Sequence, residues 1–215
     1  MKMRGPTTRR GAPRGAAKAR ATRGRPRAFD IDRALDCALD VFWQKGYEGA
    51  SMDDLTAAMG ISRPSLYAAF GDKQRLFQLA AERYGAGPAN YVRRAMEEPT
   101  ARRAVEKLLR GAADALTDPK HPRGCLAVQG ALACGDEADP ARRQMCALRA
   151  AACDALRKRF ERAKKEQDLP PHANAADLAR YIAAVLHGMA VQAASDATRA
   201  ELRRVGELAL RAWPQ

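Results

Sequence analysis

The sequence predicts an all-α protein of about nine helices: an N-terminal three-helix helix-turn-helix head followed by a larger C-terminal helical domain. Three observations carry that prediction. Apolar residues fill 47% of the 215 positions while aromatics fill only 6%, and Ala dominates, which suits closely packed helices. β-branched runs and Asn-Gly hairpin signals are absent. Apolar residues recur every three to four positions between Ser, Thr, Asp and Asn caps, the period of a helix with one buried face.

The elements follow in order. Ile31 to Lys45 places Ile31, Ala34, Leu35, Ala38, Val41 and Phe42 at helical spacing, and Gly46 ends the helix. Ser51 caps the next helix, with Asp54 three residues on as a short capping box. Leu55, Ala58 and Met59 form its inner face. A tight turn at Gly60-Ile61-Ser62 leads into a helix ending near Phe70. Gly71 turns the chain and Asp72 caps a helix to at least Tyr84. After the break at Gly85-Ala86-Gly87-Pro88, helical spacing resumes from Tyr91 and again from Thr100 to Leu116. Pro119, Pro122 and Gly124 mark a loop, and Cys125 to Cys134 reads as a short helix stopped by Gly135. Pro140 to about Gln167 is a long helix closed by Pro170-Pro171. Asn174 with Asp177 opens a helix to about Ser195, and Thr198 with Glu201 forms a full capping box for the last, ending near Trp213.

The formal charge is +13, from 38 basic and 25 acidic residues. Residues 1–27 carry ten of those cations and no acid, which leaves +3 on the other 188 residues. Rich in Gly, Pro, Ala and Arg, this tail has too little apolar surface to offset the entropy of ordering, and it is expected to be disordered. Its natural partner is a polyanion, either nucleic acid or an anionic membrane surface. No apolar segment reaches the roughly 20 residues that span a bilayer, and the N-terminus lacks the apolar core of a secretory signal. Five cysteines show no disulfide framework. A cytoplasmic location without membrane contact is expected. The predicted division is a 1–27 tail, a 28–75 helix-turn-helix head and a 76–215 helical domain.

Within SMDDLTAAMGISRPSLYAAFGDK (51–73) the demands of a DNA-reading helix are met position by position. Ala57, Ile61, Leu66 and Phe70 supply small apolar contacts where two helices cross, and Gly60 tolerates the positive φ of the turn. The second helix must offer short or polar side chains from its leading end to base edges, and Ser62, Arg63, Pro64, Ser65 and Tyr67 stand there. Arg63 is the candidate for a bidentate contact to guanine O6 and N7. Pro64 and the Tyr67 ring suit thymine methyls. Lys73, the N–H groups opening the helix at Asp72, and the Ser51 hydroxyl suit phosphates. The rival reading is an ordinary helical hairpin with a polar face.

These residues resemble the DNA-binding domain of the tetracycline-repressor (TetR) family of transcriptional regulators. ALDVFWQKGYEGASMDDLTAAMGISRPSLYAAFGDK with Leu76-Phe77 carries the likeness, about a quarter of the chain. The resemblance implies a homodimer whose heads read two half-sites of double-stranded DNA, with a helical domain that binds an inducer. It also implies that Arg63, Pro64, Ser65 and Tyr67 face bases while Ser51 and Lys73 hold the backbone. This chain departs from the pattern in having Ala68 and Ala69 where larger phosphate-contacting side chains are frequent, and Asp53 where a cation is frequent. The basic tail is the counterweight.

In that tail, Arg23-Gly24-Arg25-Pro26 resembles the core of an AT-hook. Arg23, Arg25 and Arg27 are thus candidates for a narrow minor groove, or else part of a solvated, charge-rich linker. In the C-terminal region YIAAVLHGMAV (181–191) is apolar all round except His187. Leu202, Val205, Ala209 and Trp213 form a stripe on the last helix, with Gly206 allowing close approach. Together they suggest a twofold interface through the last two helices, the place the family resemblance also implies. Tyr84, Tyr91, Met96, Leu126, Met145, Leu148 and Tyr181 are of the type that lines an effector cavity or simply fills a core. Cys125, at a helix start beside Arg123, is a candidate redox site with Cys134 as a partner. Cys37, Cys146 and Cys153 read as packed thiols. No HExxH, CxxC, GxSxG or P-loop spacing occurs, so neither catalysis, a metal nor a cofactor is expected. The function expected is a regulator, most simply a repressor, that binds a palindromic operator as a homodimer and is released by an unidentified small-molecule or redox signal. The alternative is an architectural, weakly sequence-specific DNA-binding protein dominated by its tail.

Overall fold

A computed structural model describes residues 29–131, 135 and 138–214 of the chain. Among these there are ten helices and no strand, and one of the ten is a single turn. They are α1 (Ile31–Gly49), α2 (Met52–Met59), α3 (Arg63–Phe70), α4 (Lys73–Ala86), α5 (Tyr91–Met96), α6 (Ala101–Ala115), α7 (Leu126–Gln129), α8 (Asp139–Lys165), α9 (Ala175–Ala194) and α10 (Arg199–Arg211). The all-α architecture is as predicted. No helix among the described residues is long and apolar enough to cross a membrane.

Local chemistry sets most of the boundaries. Both halves of the Ser51–Asp54 capping box are made. The Ser62 hydroxyl accepts from Ser65 N–H, and Asp72 accepts from Arg75 N–H. Thr198 and Glu201 form the second complete box. Gly60 sits at φ +65° as the C-cap of α2, with its N–H and that of Ile61 returned to Ala57 and Thr56, so only a residue at ease in left-handed backbone fits there. Gly46, at φ +70°, interrupts α1 where the stop is expected, and one irregular turn continues to Gly49.

Two cores result. Phe42, Trp43, Leu55, Leu66, Phe70, Leu76 and Phe77 fill the space among α1–α4, with Phe42 and Phe77 edge to face at 5.0 Å. Val105, Leu108, Leu109, Leu156, Phe160, Ile182, Met189 and Leu202 fill the second, among α6 and α8–α10. Leu126, Ala131, Ala141 and Met145, from α7 to α8, belong to the first, so the head rests on the larger bundle through a shared apolar layer.

Several expectations require correction. Ala57 and Ala58 are exposed, and the α2 contact is made by Leu55 and Met59 instead. The helix expected over Cys125 to Cys134 ends at Gln129, because the Gly130 carbonyl, which a longer helix would return to residue 134, accepts from Tyr47 N–H at 2.7 Å. Leu202, Ala209 and Trp213 are buried within their own chain. Gly206 allows close approach to Leu109 of α6, whose Cβ would stand 3.2 Å from a side chain there. Of the residues left open between cavity and core, Leu126 and Met145 are core, while Tyr181 is neither and is 40% exposed.

Candidate nucleic-acid interface and cavity

The leading end of α3 stands clear of the molecule. Ser62, Arg63 and Pro64 are exposed, Ser65 is half-buried and Tyr67 is exposed, while Leu66 and Phe70 anchor the helix from behind. The split follows from the 3.6-residue period: one stripe packs, and the other is left for a partner. Ser62 Oγ is occupied by the cap and by Ser65 Oγ at 2.9 Å, so its role is to hold the helix start.

Arg63 Nη2 donates to Asp53 Oδ1 at 2.8 Å, with the side chains 54% and 82% exposed. An ion pair so wet contributes roughly 0–1 kcal/mol, and its single Nη2 contact leaves the other guanidinium donors open. Residues 51–71 hold no other cation, and two acids. The second, Asp54, is committed to the cap and to Lys45 Nζ at 2.6 Å. The Lys45 and Ser51 hydrogen bonds hold its carboxyl down at about 2. The Ser51 hydroxyl donates to that carboxylate at 2.8 Å and would have to give up this bond to donate to a phosphate. Lys73 Nζ lies 4.6 Å above the Tyr47 ring, and burial lowers its pKa. Arg23, Arg25 and Arg27 lie outside the described residues.

Across residues 29–86 there are six cations and nine acids. The segment bearing α3 is net negative, and the excess positive charge lies in the 1–27 tail and in the remainder of the chain. The sequence-wide total conceals this.

Behind the head lies a cavity of about 480 Å³. Tyr84 of α4, Tyr91 and Met96 of α5, Leu148 and Arg149 of α8, and Leu186 and His187 of α9 line it, with Cys125 at the start of α7. Tyr84, Tyr91, Met96 and Leu148 are where the sequence pattern suggested. Arg149 and Leu186 were missed, although Arg149 falls among Met145, Leu148 and Ala152 at helical spacing, a lone cation on an inward face. Arg149 holds α7 through the Ala127 carbonyl and meets Cys146 Sγ at 3.1 Å. Burial, then Arg149, lowers the pKa of His187, so the imidazole is neutral near pH 7. Burial raises both tyrosine phenols. The wall is thus mostly apolar with a few uncharged hydrogen-bonding groups and two guanidiniums, those of Arg93 and Arg149, a composition suited to a small, mostly apolar molecule carrying an acceptor.

Cys125 packs against both cores, and Tyr84 Oη donates to its Sγ at 3.1 Å. The expected help from Arg123 is absent: that guanidinium donates to the Ala193 and Ala197 carbonyls at the end of α9. Cys134 lies outside the described residues. Cys37 and Cys153 are half-buried, and Cys146 is exposed rather than packed. Among the described residues no group of three or more His, Cys, Asp or Glu is placed to hold a metal.

The family model for bacterial regulatory proteins of the tetR family matches residues 34–80, and that for the tetracyclin repressor-like C-terminal domain matches 101–208. The HTH-type transcriptional repressor ComR of Escherichia coli is 29% identical over 196 residues, 90% of this chain and 93% of that protein. A cysteine mutant of the TetR family transcriptional regulator CifR, solved with 26-bp double-strand operator DNA, is 44% identical. The match covers 88% of this chain and all of that one, with a TM-score of 0.86. A TetR regulator from Rhodococcus sp. RHA1 is 39% identical, covering 86% of this chain and all of that one, with a TM-score of 0.60.

Proposed function

This chain belongs to the tetR family of bacterial regulatory proteins and is a DNA-binding regulator of transcription, and on that premise we propose that it is a cytoplasmic repressor. It binds a palindromic operator as a homodimer, is released by a small-molecule or redox signal, and performs no chemistry on a substrate. The observation that carries this reading is the exposed, rigidly capped leading end of α3 on a head that shares its core with a cavity-bearing bundle. The functional division runs through a tail at 1–27, a reading head at 28–75, and an effector and dimer domain at 76–215.

In the proposed complex Arg63 donates to guanine O6 and N7, Pro64, Ser65 and Tyr67 lie against neighbouring base edges, Ser51 and Lys73 fix the head on the backbone, and Ser62 holds the start of the helix that presents them. Arg23, Arg25 and Arg27 add attraction from the tail. The second copy docks on α9. Tyr181, Ala184, Gly188 and Val191 form an exposed stripe at helical spacing, Leu208 of α10 adds to it, and a Cβ at Gly188 would meet nothing within the chain. An apolar stripe of this kind is covered most simply by its own twofold mate.

Release follows as a population shift. A cavity occupant meets Tyr84 of α4 and Cys125 of α7. α7 ends on the Gly130–Tyr47 hydrogen bond to α1, so a displacement there reorients the head and misplaces the two α3 ends for successive major grooves. Modification of Cys125 would act at the same joint. Cys125→Ser should abolish oxidant-dependent release, and unchanged release would remove the redox branch.

Footprinting on the DNA flanking the coding region tests the whole reading. Protection of two symmetric half-sites should survive excess unrelated duplex, whereas an architectural protein would lose it. Arg63→Ala should cost about 1–3 kcal/mol of discrimination at one base pair per half-site. Uniform weakening on every sequence would count against base reading.

A further inference from the structure

We infer that Asp53 is a specificity-determining positioning residue: its carboxylate holds the Arg63 guanidinium for base edges and withholds it from indiscriminate phosphate contact. The inference rests on the assignment of Arg63 as a base reader and adds a residue that touches no base itself. Asp53 and Asp54 both stand in the first turn of α2, yet the capping box is completed by Asp54 alone. The Asp53 carboxylate is 82% exposed, and its partner is Arg63, ten residues on and across the turn, at the leading end of α3.

Three physical consequences follow. The contact uses a single N–H of Nη2, so of the five donors on a guanidinium enough remain for a bidentate approach to guanine. Asp53 can therefore stay in place while Arg63 reads. The pair also fixes one end of a long side chain that would otherwise lose rotamer freedom on binding. Finally, residues 51–71 hold no cation besides Arg63, so pairing leaves the recognition unit with no free positive charge for a passing phosphate, and the carboxylate repels one. A wrong sequence then offers neither a guanine edge nor a profitable salt bridge. Specificity arises partly from penalising the competitor.

The test uses the full-length protein, a duplex recovered by selection from a randomised library, and a shuffled duplex of the same length and composition. Dissociation constants are measured over a salt series for wild type, Asp53→Asn, Arg63→Ala and the double variant. Asp53→Asn should tighten the shuffled duplex about tenfold and steepen its log–log salt slope by about 0.9 per head, as one freed cation meets a phosphate. The selected duplex should tighten much less, so the ratio of affinities falls. In the Arg63→Ala background the same substitution should shift both duplexes by one common factor. Equal tightening of both duplexes in the wild-type background would overturn the inference, as would a fall in the ratio that persists without Arg63. A lower melting temperature with an unchanged ratio would also overturn it, assigning Asp53 to the α2 helix dipole alone. If selection yields no preferred duplex, the repressor reading itself fails and this inference falls with it.

Discussion

The polar side-chain contacts of residues 51–71 join residues three to ten positions apart: Ser51 with Asp54, Ser62 with Ser65, Lys45 with Asp54, Asp53 with Arg63. The cavity is assembled the other way. Tyr84 meets Cys125 across 41 positions, Arg149 meets Ala127 across 22, and His187 arrives from α9. The reading surface is therefore a local construction whose outer side chains can be exchanged with little effect on the fold. The cavity exists only while five helices from separate parts of the chain stay packed, and Tyr84 of the head core forms part of its wall.

Truncation inside the head core gives the largest effect. Phe77 is fully buried against Phe42, so Phe77→Ala should lower unfolding free energy by about 3–5 kcal/mol in a denaturant titration. Tyr67→Ala, at a residue 52% exposed, should stay within about 0.5 kcal/mol of wild type in the same assay while weakening DNA binding. Comparable destabilisation by both would break the contrast between a local surface and a shared interior.

The joint between the regions comes next. Gly46 sits at φ +70°, and a Cβ there would stand 3.3 Å from the Gly130 carbonyl oxygen. Gly46→Ala should cost about 1–3 kcal/mol, because backbone at φ +70° and ψ 176° is open essentially to glycine alone. It should also loosen the Tyr47–Gly130 hydrogen bond, visible as faster exchange of the Tyr47 amide. A smaller loss, about 1 kcal/mol, is expected for Ser51→Ala from the cap of α2, and here stability and DNA affinity should fall together.

The smallest effect is a pH dependence. The Asp54 carboxyl is held at about 2, below its ordinary 3.8, by hydrogen bonds from Lys45 and Ser51. A depressed carboxylate contributes above its unfolded value, and that contribution fades as pH falls through the folded one. The cap should therefore persist through about pH 4 and fail toward pH 2, followed by NMR titration of the side chain. Ser51→Ala should raise the midpoint.

The sequence by itself determined the helix starts, the turn at Gly60, the interruption at Gly46 and the identity of the exposed residues on α3. All of these depend on caps and left-handed backbone, which act within a few residues. It also determined where the charge lies, since counting residues 1–27 and 29–86 needs no coordinates. Ala57 and Ala58 misled because Ala serves equally on either face of a helix, while Leu55 and Met59 do not. Tertiary packing alone decided the rest. The stripe at Leu202, Ala209 and Trp213 had two possible covers, and only the approach of α6 and Phe160 showed that the chain covers it itself. That left the α9 stripe through Tyr181 and Val191 exposed. The end of α7 at Gln129, the guanidinium of Arg149 beside the cavity, and the partner of Asp53 likewise depend on which helices meet. Side-chain spacing records the period of one helix, but not which neighbour it will face.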